Sequence, residues 1–169
     1  ANGKQAMIEH GRKLKARGIS TYIDPSHGLP ILDRGELLEL IDGSALYIVN
    51  DYEWSLTLEK TGCSEDELFS RCDAVVITRG VKGSVIHSGN ERIEIPPAAA
   101  SKVVDPTGCG DAYRAGLMAG RARGLSFEIA GRMGSLLGSY QVEVEGTQNL
   151  VLTLDEFRQR YEREFGSRI

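Results

Sequence analysis

Two five-residue runs, Ala45-Leu46-Tyr47-Ile48-Val49 and Ala74-Val75-Val76-Ile77-Thr78, constrain the fold of this chain most. Neither alternates apolar with polar residues, so neither has a face suited to water. Helical segments stand around them. One runs from about Gly3 to Arg17 with Gly18 as its stop, and one from about Arg34 to Ile41. A third follows a cap at Asn50-Asp51 and continues through Glu53, Trp54 and Leu58 to Gly62, and a fourth covers about Ser64 to Arg71. Continuous apolar strands separated by helices imply a parallel sheet covered on both faces. Ile19–Asp24, ended by Pro25, reads as a further short strand.

The pattern then changes. Gly83–Ser88 and Glu91–Ile95 flank Gly89-Asn90, which predicts a β-hairpin with a two-residue turn, ended by Pro96-Pro97. A glycine-rich turn at Asp105–Asp111 opens a helix through Ala112–Arg123, its start expected near Asp111. Another helix is expected over about Phe127–Gln141. A capping-box pattern at Thr153–Glu156 opens the last, to about Phe165. There is no internal repeat and no low-complexity linker, so a single domain over 1–169 is the economical expectation.

Composition excludes several classes of function. Charged residues make up 26% and hydrophobic ones 41%, as in globular domains rather than disordered chains. No apolar run approaches the ~20 residues that cross a bilayer, so no membrane partner is expected. With 20 basic against 24 acidic residues and no basic stripe, nucleic acid is not an expected partner. Cys63, Cys72 and Cys109 form no CxxC pair, which suits reduced thiols and a cytoplasmic location. His10, His27 and His87 are scattered, and histidine-centred chemistry is not expected.

The stretch Asp105-Pro106-Thr107-Gly108-Cys109-Gly110-Asp111 carries the chemistry. Glycines at 108 and 110 let successive N–H groups point into one concavity, and the following helix adds its positive end. That is a site for a phosphate in flight. A carboxylate at Asp111 would repel a resting phosphate, and it makes sense as the base that takes a proton from an attacking hydroxyl. In a chain with 20 glycines, G-x-G-D alone arises by chance about once in ten chains, and adding Asp105 and Thr107 lowers this to about one in thousands. The rival reading is a helix entered through an Asp N-cap. Other glycine motifs fail: a dinucleotide fingerprint needs glycine where Tyr113 stands, a Walker loop needs G-K-[ST], and no G-x-S-x-G occurs.

The same stretch resembles the C-terminal signature of the PfkB (ribokinase-like) family of carbohydrate and nucleoside kinases. Asn50-Asp51-Tyr52-Glu53 matches the family's N-x-x-E motif, Thr78-Arg79-Gly80-Val81-Lys82-Gly83 matches its T-x-G-x-x-G turn, and Glu145-Gly146-Thr147-Gln148 resembles its closing glycine segment. The resemblance implies a three-layer αβα fold with a mostly parallel sheet and a hairpin. It implies ATP-dependent transfer of the γ-phosphoryl group to a primary hydroxyl of a sugar or nucleoside. Asp111 would be the base and Gly108, Cys109 and Gly110 the anion hole. Asn50, Thr78, Gly80 and Gly83 would contact the nucleotide, and Gly134 would line the adenine pocket. Glu53 would hold Mg2+ through water. In relatives that need a monovalent cation, the positions of Asp105 and Thr107, with carbonyls near Gly146, bind K+. Gly134-Ser135-Leu136-Leu137-Gly138 looks closest to the adenosine-kinase-like branch.

Plainer readings stand beside these. Asn50 and Glu53 also suit a helix cap and a first-turn acid, Thr78-Arg79-Gly80 a strand end and turn, Lys82 a solvated turn, and Trp54 the core. Pro106 stands where the family has Thr or Ser. Cys109 replaces Ala and places a thiol at a helix N-terminus, where its pKa is expected to fall. The family's substrate region and lid precede anything here, so the chain reads as the C-terminal part of a longer kinase. That puts catalysis by this chain alone in question and leaves a sheet edge prone to pairing, with a homodimer one assembly to look for. The alternatives are a catalytically silent nucleotide- or anion-binding module and an oligomerisation domain.

Overall fold

A computed structural model describes residues 2–169. They form two compact units, one of residues up to Arg79 with Val85–Arg92, the other of Gly80–Ser84 with Ile93–Ile169.

The first unit is built of helix-then-strand cycles. Helix α1 (Asn2–Ala16) leads to β1 (Tyr22–Ile23), and a 3-10 turn over Ser26–Ile31 precedes α2 (Arg34–Ile41). Then follow β2 (Leu46–Asn50), α3 (Asp51–Thr61), α4 (Glu65–Phe69) and β3 (Ala74–Thr78). The strands β1, β2 and β3 pair in parallel, with Tyr22 opposite Leu46, Tyr47 opposite Val75 and Asn50 opposite Thr78. β4 (Ser84–Ser88) and β5 (Glu91–Ile95) complete a five-stranded sheet in sequence order. Links of five and two residues are too short for a parallel crossover, so β4 runs against both neighbours and the sheet is mixed, mostly parallel.

The absence of alternation in the strands has the expected consequence: Tyr47, Val49 and Val76 are fully buried, and Leu46 and Val75 nearly so. Leu37, Leu40, Ile41, Leu29 and Leu32 join Tyr47, Val49, Val75 and Ile77 in one core. Burying a leucine or valine side chain contributes ~1.5–3 kcal/mol, so these strands anchor the unit. Reciprocal capping boxes start three helices here: Asp33 with Glu36, Asn50 with Glu53, and Ser64 with Glu67. Gly62 ends α3 at φ 61°, the left-handed stop that glycine adopts without a Cβ clash. Trp54 is 6% exposed, stacks on Phe69 and donates to Glu65, so it is core and not a ligand platform.

Two local expectations need correction. β1 spans two residues, not Ile19–Asp24, because the Thr21 carbonyl takes both the Ala45 and Leu46 amides and Ile19 stays exposed. The 3-10 turn at Ser26–Ile31 falls in a stretch after Pro25 to which no element was assigned.

The second unit holds three helices, α5 (Cys109–Ala122), α6 (Phe127–Val142) and α7 (Leu154–Phe165). α5 and α6 meet backbone to backbone. A Cβ on Gly116 would stand 2.6 Å from the Met133 carbonyl oxygen, and one on Gly134 would stand 2.7 Å from that of Tyr113. Met133, Leu136, Phe157 and Tyr161 form the core against α7. Arg160, 9% exposed, ties α7 to α6 through both oxygens of Glu143 and through Ser139, and also holds the Ala99 carbonyl. Among the described residues no helix is long and apolar enough to cross a membrane.

Candidate phosphate-binding turn and its neighbours

In the first unit the motif residues lie at strand ends, the edge where open α/β sheets bind ligands. Asn50 closes β2 and Thr78 closes β3, and the two are register partners. Asn50 Oδ1 accepts the Glu53 amide at 2.7 Å, and Glu53 Oε2 accepts the Asn50 amide at 2.8 Å. The pair is therefore a complete capping box, and the plainer reading of these two residues holds as geometry. The box uses only Oε2 of Glu53, so Oε1 could take a water of a hydrated cation.

The glycines of the turn after β3 belong to the second unit and serve different ends. Gly80 is exposed at φ 55°, with nothing within 4 Å of a Cβ built there. Gly83, at φ 79°, is buried, and a Cβ would stand 2.1 Å from the Ile95 carbonyl oxygen. Close backbone packing alone thus demands glycine at 83. Lys82 is exposed on the turn.

The stretch 105–111 is organised around Asp105. Its Oδ1 accepts the Thr107 amide at 2.9 Å, and its Oδ2 accepts the Gly146 amide at 2.9 Å. The Thr107 side chain first, then the Thr107 and Gly146 amides, hold its carboxyl below the usual carboxylate range. Gly108 is the N-cap of α5 at φ 82° and supplies no side-chain cap. The helix therefore begins at Cys109, two residues before the expected start, and Asp111 is its third residue. That rules out entry through an Asp N-cap. The Cys109 amide bonds the Pro106 carbonyl at 3.2 Å, whereas those of Gly108, Gly110 and Asp111 have no acceptor among the described residues. An uncapped first turn of this kind can receive an anion. Gly110 is helical and not left-handed, and a Cβ there would meet only the movable guanidinium end of Arg114, at 2.9 Å.

Asp111 is exposed, its Oδ1 3.2 Å from Arg114 Nη1. It is not sequestered, and a carboxylate at this place can accept a proton. Cys109 departs from expectation. Burial first, and then the Asp105 carboxylate, push its thiol up rather than down. Gly134, expected in an adenine pocket, is accounted for by its packing against the Tyr113 backbone and ring. No group of three or more His, Cys, Asp or Glu side chains among the described residues could hold a metal ion.

Gln141 escaped the sequence reading. It is 3% exposed, and its Nε2 donates to the carbonyls of Thr107 (3.2 Å) and Gly146 (2.7 Å), tying the two loops together. Nothing local marks it, since Gln at the end of a helix is commonplace. The structure thus gathers Asp105, Thr107, Gly108, Cys109 and Gly146 in one cluster of the second unit, and Asn50, Glu53 and Thr78 in another of the first.

Comparison with known proteins gives one direction throughout. Residues 4–154 match a family described as pfkB family carbohydrate kinase. The chain is 36% identical over 140 residues to a nucleoside kinase of Methanocaldococcus jannaschii, covering 83% of this chain and 46% of that protein. The structure of Burkholderia thailandensis nucleoside kinase in complex with inosine matches at a TM-score of 0.96 and 41% identity, covering 98% of this chain and 55% of that one. The same kinase in complex with ADP-inosine matches at 0.95 and 41%, covering 97% and 51%. The chain spans about half the length of the curated relatives it matches.

Proposed function

The chain belongs to the pfkB family of carbohydrate kinases, with the ribokinase-like α/β fold of its solved relatives, and from that premise we propose that it is the nucleotide-handling part of an ATP-dependent nucleoside kinase. The observation that carries the reading is the uncapped start of α5, with left-handed Gly108 as N-cap, unengaged amides at Gly110 and Asp111, and a carboxylate in the same turn.

In this reading the first-turn amides of α5 receive the γ-phosphoryl oxygens, and the helix dipole adds to the attraction. Asp111 accepts the proton of the acceptor hydroxyl as that oxygen bonds to phosphorus. The bond from phosphorus to the leaving oxygen of ADP breaks, and its electron pair stays with ADP. Arg114, 3.2 Å from Asp111 Oδ1, orients the carboxylate. Asn50, Thr78 and Gly80 are assigned to the nucleotide, and Glu53, through its unengaged Oε1, to a hydrated magnesium ion that would neutralise phosphate charge. The acceptor is a nucleoside, since a relative 41% identical is solved in complex with inosine.

The test is carried out on the full-length protein. Asp111→Asn should lower kcat by about 10²–10⁴-fold while calorimetry shows ATP·Mg2+ binding unchanged. Wild-type turnover in that variant refutes the base assignment. Nucleotide binding by the wild type without acceptor-dependent ADP release would favour a silent nucleotide-binding module instead.

A further inference from the structure

We propose that Gln141 supplies, with its own side-chain amide, the bridge that a monovalent cation would make beside the 105–111 turn, so that the phosphoryl site works without K+. The inference deepens the kinase reading, and its catalytic half rests on that reading.

The groups expected to bind K+ are Asp105, Thr107 and carbonyls near Gly146. Each is already engaged by a donor from the chain. The two oxygens of Asp105 accept the amides of Thr107 and Gly146, both at 2.9 Å. The carbonyls of Thr107 and Gly146 accept both protons of a single NH2 group, that of Gln141. Because both neighbours are carbonyl oxygens, the side-chain nitrogen and not its oxygen must face them. A cation drawn between the same two carbonyls would compete with this buried amide for them, and would give up its own hydration to do so. The residues here do not fit a monovalent cation.

Gln141 also reaches the turn that matters. A Cβ on Gly108 would stand 3.1 Å from Thr147 Cγ2 and 3.7 Å from the Gln141 amide carbon, so the glutamine and the 146–147 loop lie against the N-cap of α5. Through the Thr107 carbonyl it fixes the residue just before that N-cap. It is a positioning residue for the unengaged amides and does not itself touch phosphate.

The experiment uses the full-length protein in KCl and in tetramethylammonium chloride at matched ionic strength, and follows both Tm and kcat with ATP and inosine. For the wild type, Tm should be the same in the two salts and kcat should differ by less than about twofold. Gln141→Glu replaces a donor by a carboxylate facing two carbonyls, an arrangement that needs a cation. Its Tm should rise with K+, and its kcat should rise on the order of tenfold. If that variant does not fold in either salt, Gln141→Met decides. It keeps the shape, frees both carbonyls and should acquire a K+-dependent rise in Tm. A wild type whose Tm or kcat depends several-fold on K+ overturns the proposal, as do variants no more responsive than the wild type. Absence of turnover in both salts would refute the kinase reading, while the Tm comparison would still judge Gln141.

Discussion

At the start of α3 the chain answers its own needs: Asn50 and Glu53 exchange side-chain and backbone bonds, and the positive end of the helix is met by two acids, Asp51 and Glu53. At the start of α5 it does not. The N-cap is a glycine, and two amides beyond Cys109 go unanswered by any described residue. Both turns match family motifs, yet only the first can be explained as ordinary helix capping. A capping box is stabilising by ~1 kcal/mol and needs no ligand. An uncapped, left-handed entry held in place by Asp105 and Gln141 forgoes that stabilisation, and a bound anion would recover it. The lesson is to ask which helix start the chain itself leaves unsatisfied.

Substitutions can break this contrast or sharpen it. The largest stability loss should come from Gly83→Ala, whose Cβ would meet the Ile95 carbonyl at 2.1 Å in a left-handed backbone. A loss on the order of 3 kcal/mol or more is expected by urea denaturation, with Gly80→Ala as the milder control at ~1–2 kcal/mol. Next, Gly108→Ala should cost ~1–2 kcal/mol and also weaken ATP binding, because φ 82° and the Thr147 methyl both oppose a Cβ. Full-strength binding in a folded Gly108→Ala would break the contrast. Asn50→Ala should then cost ~1 kcal/mol through the cap alone. A fall in ATP affinity beyond that would show that the closed turn also touches nucleotide.

The smallest effect is acid-dependent. The folded pKa of Asp105 is lowered below its ordinary 3.8, so its contribution is fully present above that value and is lost as pH falls through the lower folded one. Urea midpoints followed into acid should therefore decline less steeply in Asp105→Asn than in the wild type. Equal slopes would mean that the bonds from Thr107 and Gly146 contribute nothing.

Much of this molecule was legible beforehand, for a local reason. α2, β3 and β5 fall on the residues expected from them, because periodicity, capping boxes and glycine stops act over a few neighbours. The start of α5 was misplaced by two residues since glycines at 108 and 110 look alike in sequence, whereas only the first is left-handed. The fall expected for the Cys109 thiol became a rise because dipole reasoning omits burial and the carboxylate of Asp105.

The sequence by itself determined the order of helices and strands, the apolar layer of β2 and β3, and the family, since each is written in adjacent residues. Only the tertiary structure decided that Gly83 and Gly134 are packing glycines and that Gln141 clasps Thr107 across 34 residues of chain. Such contacts depend on which backbones approach which. That is fixed by how helices and loops pack, and no short window of residues encodes it.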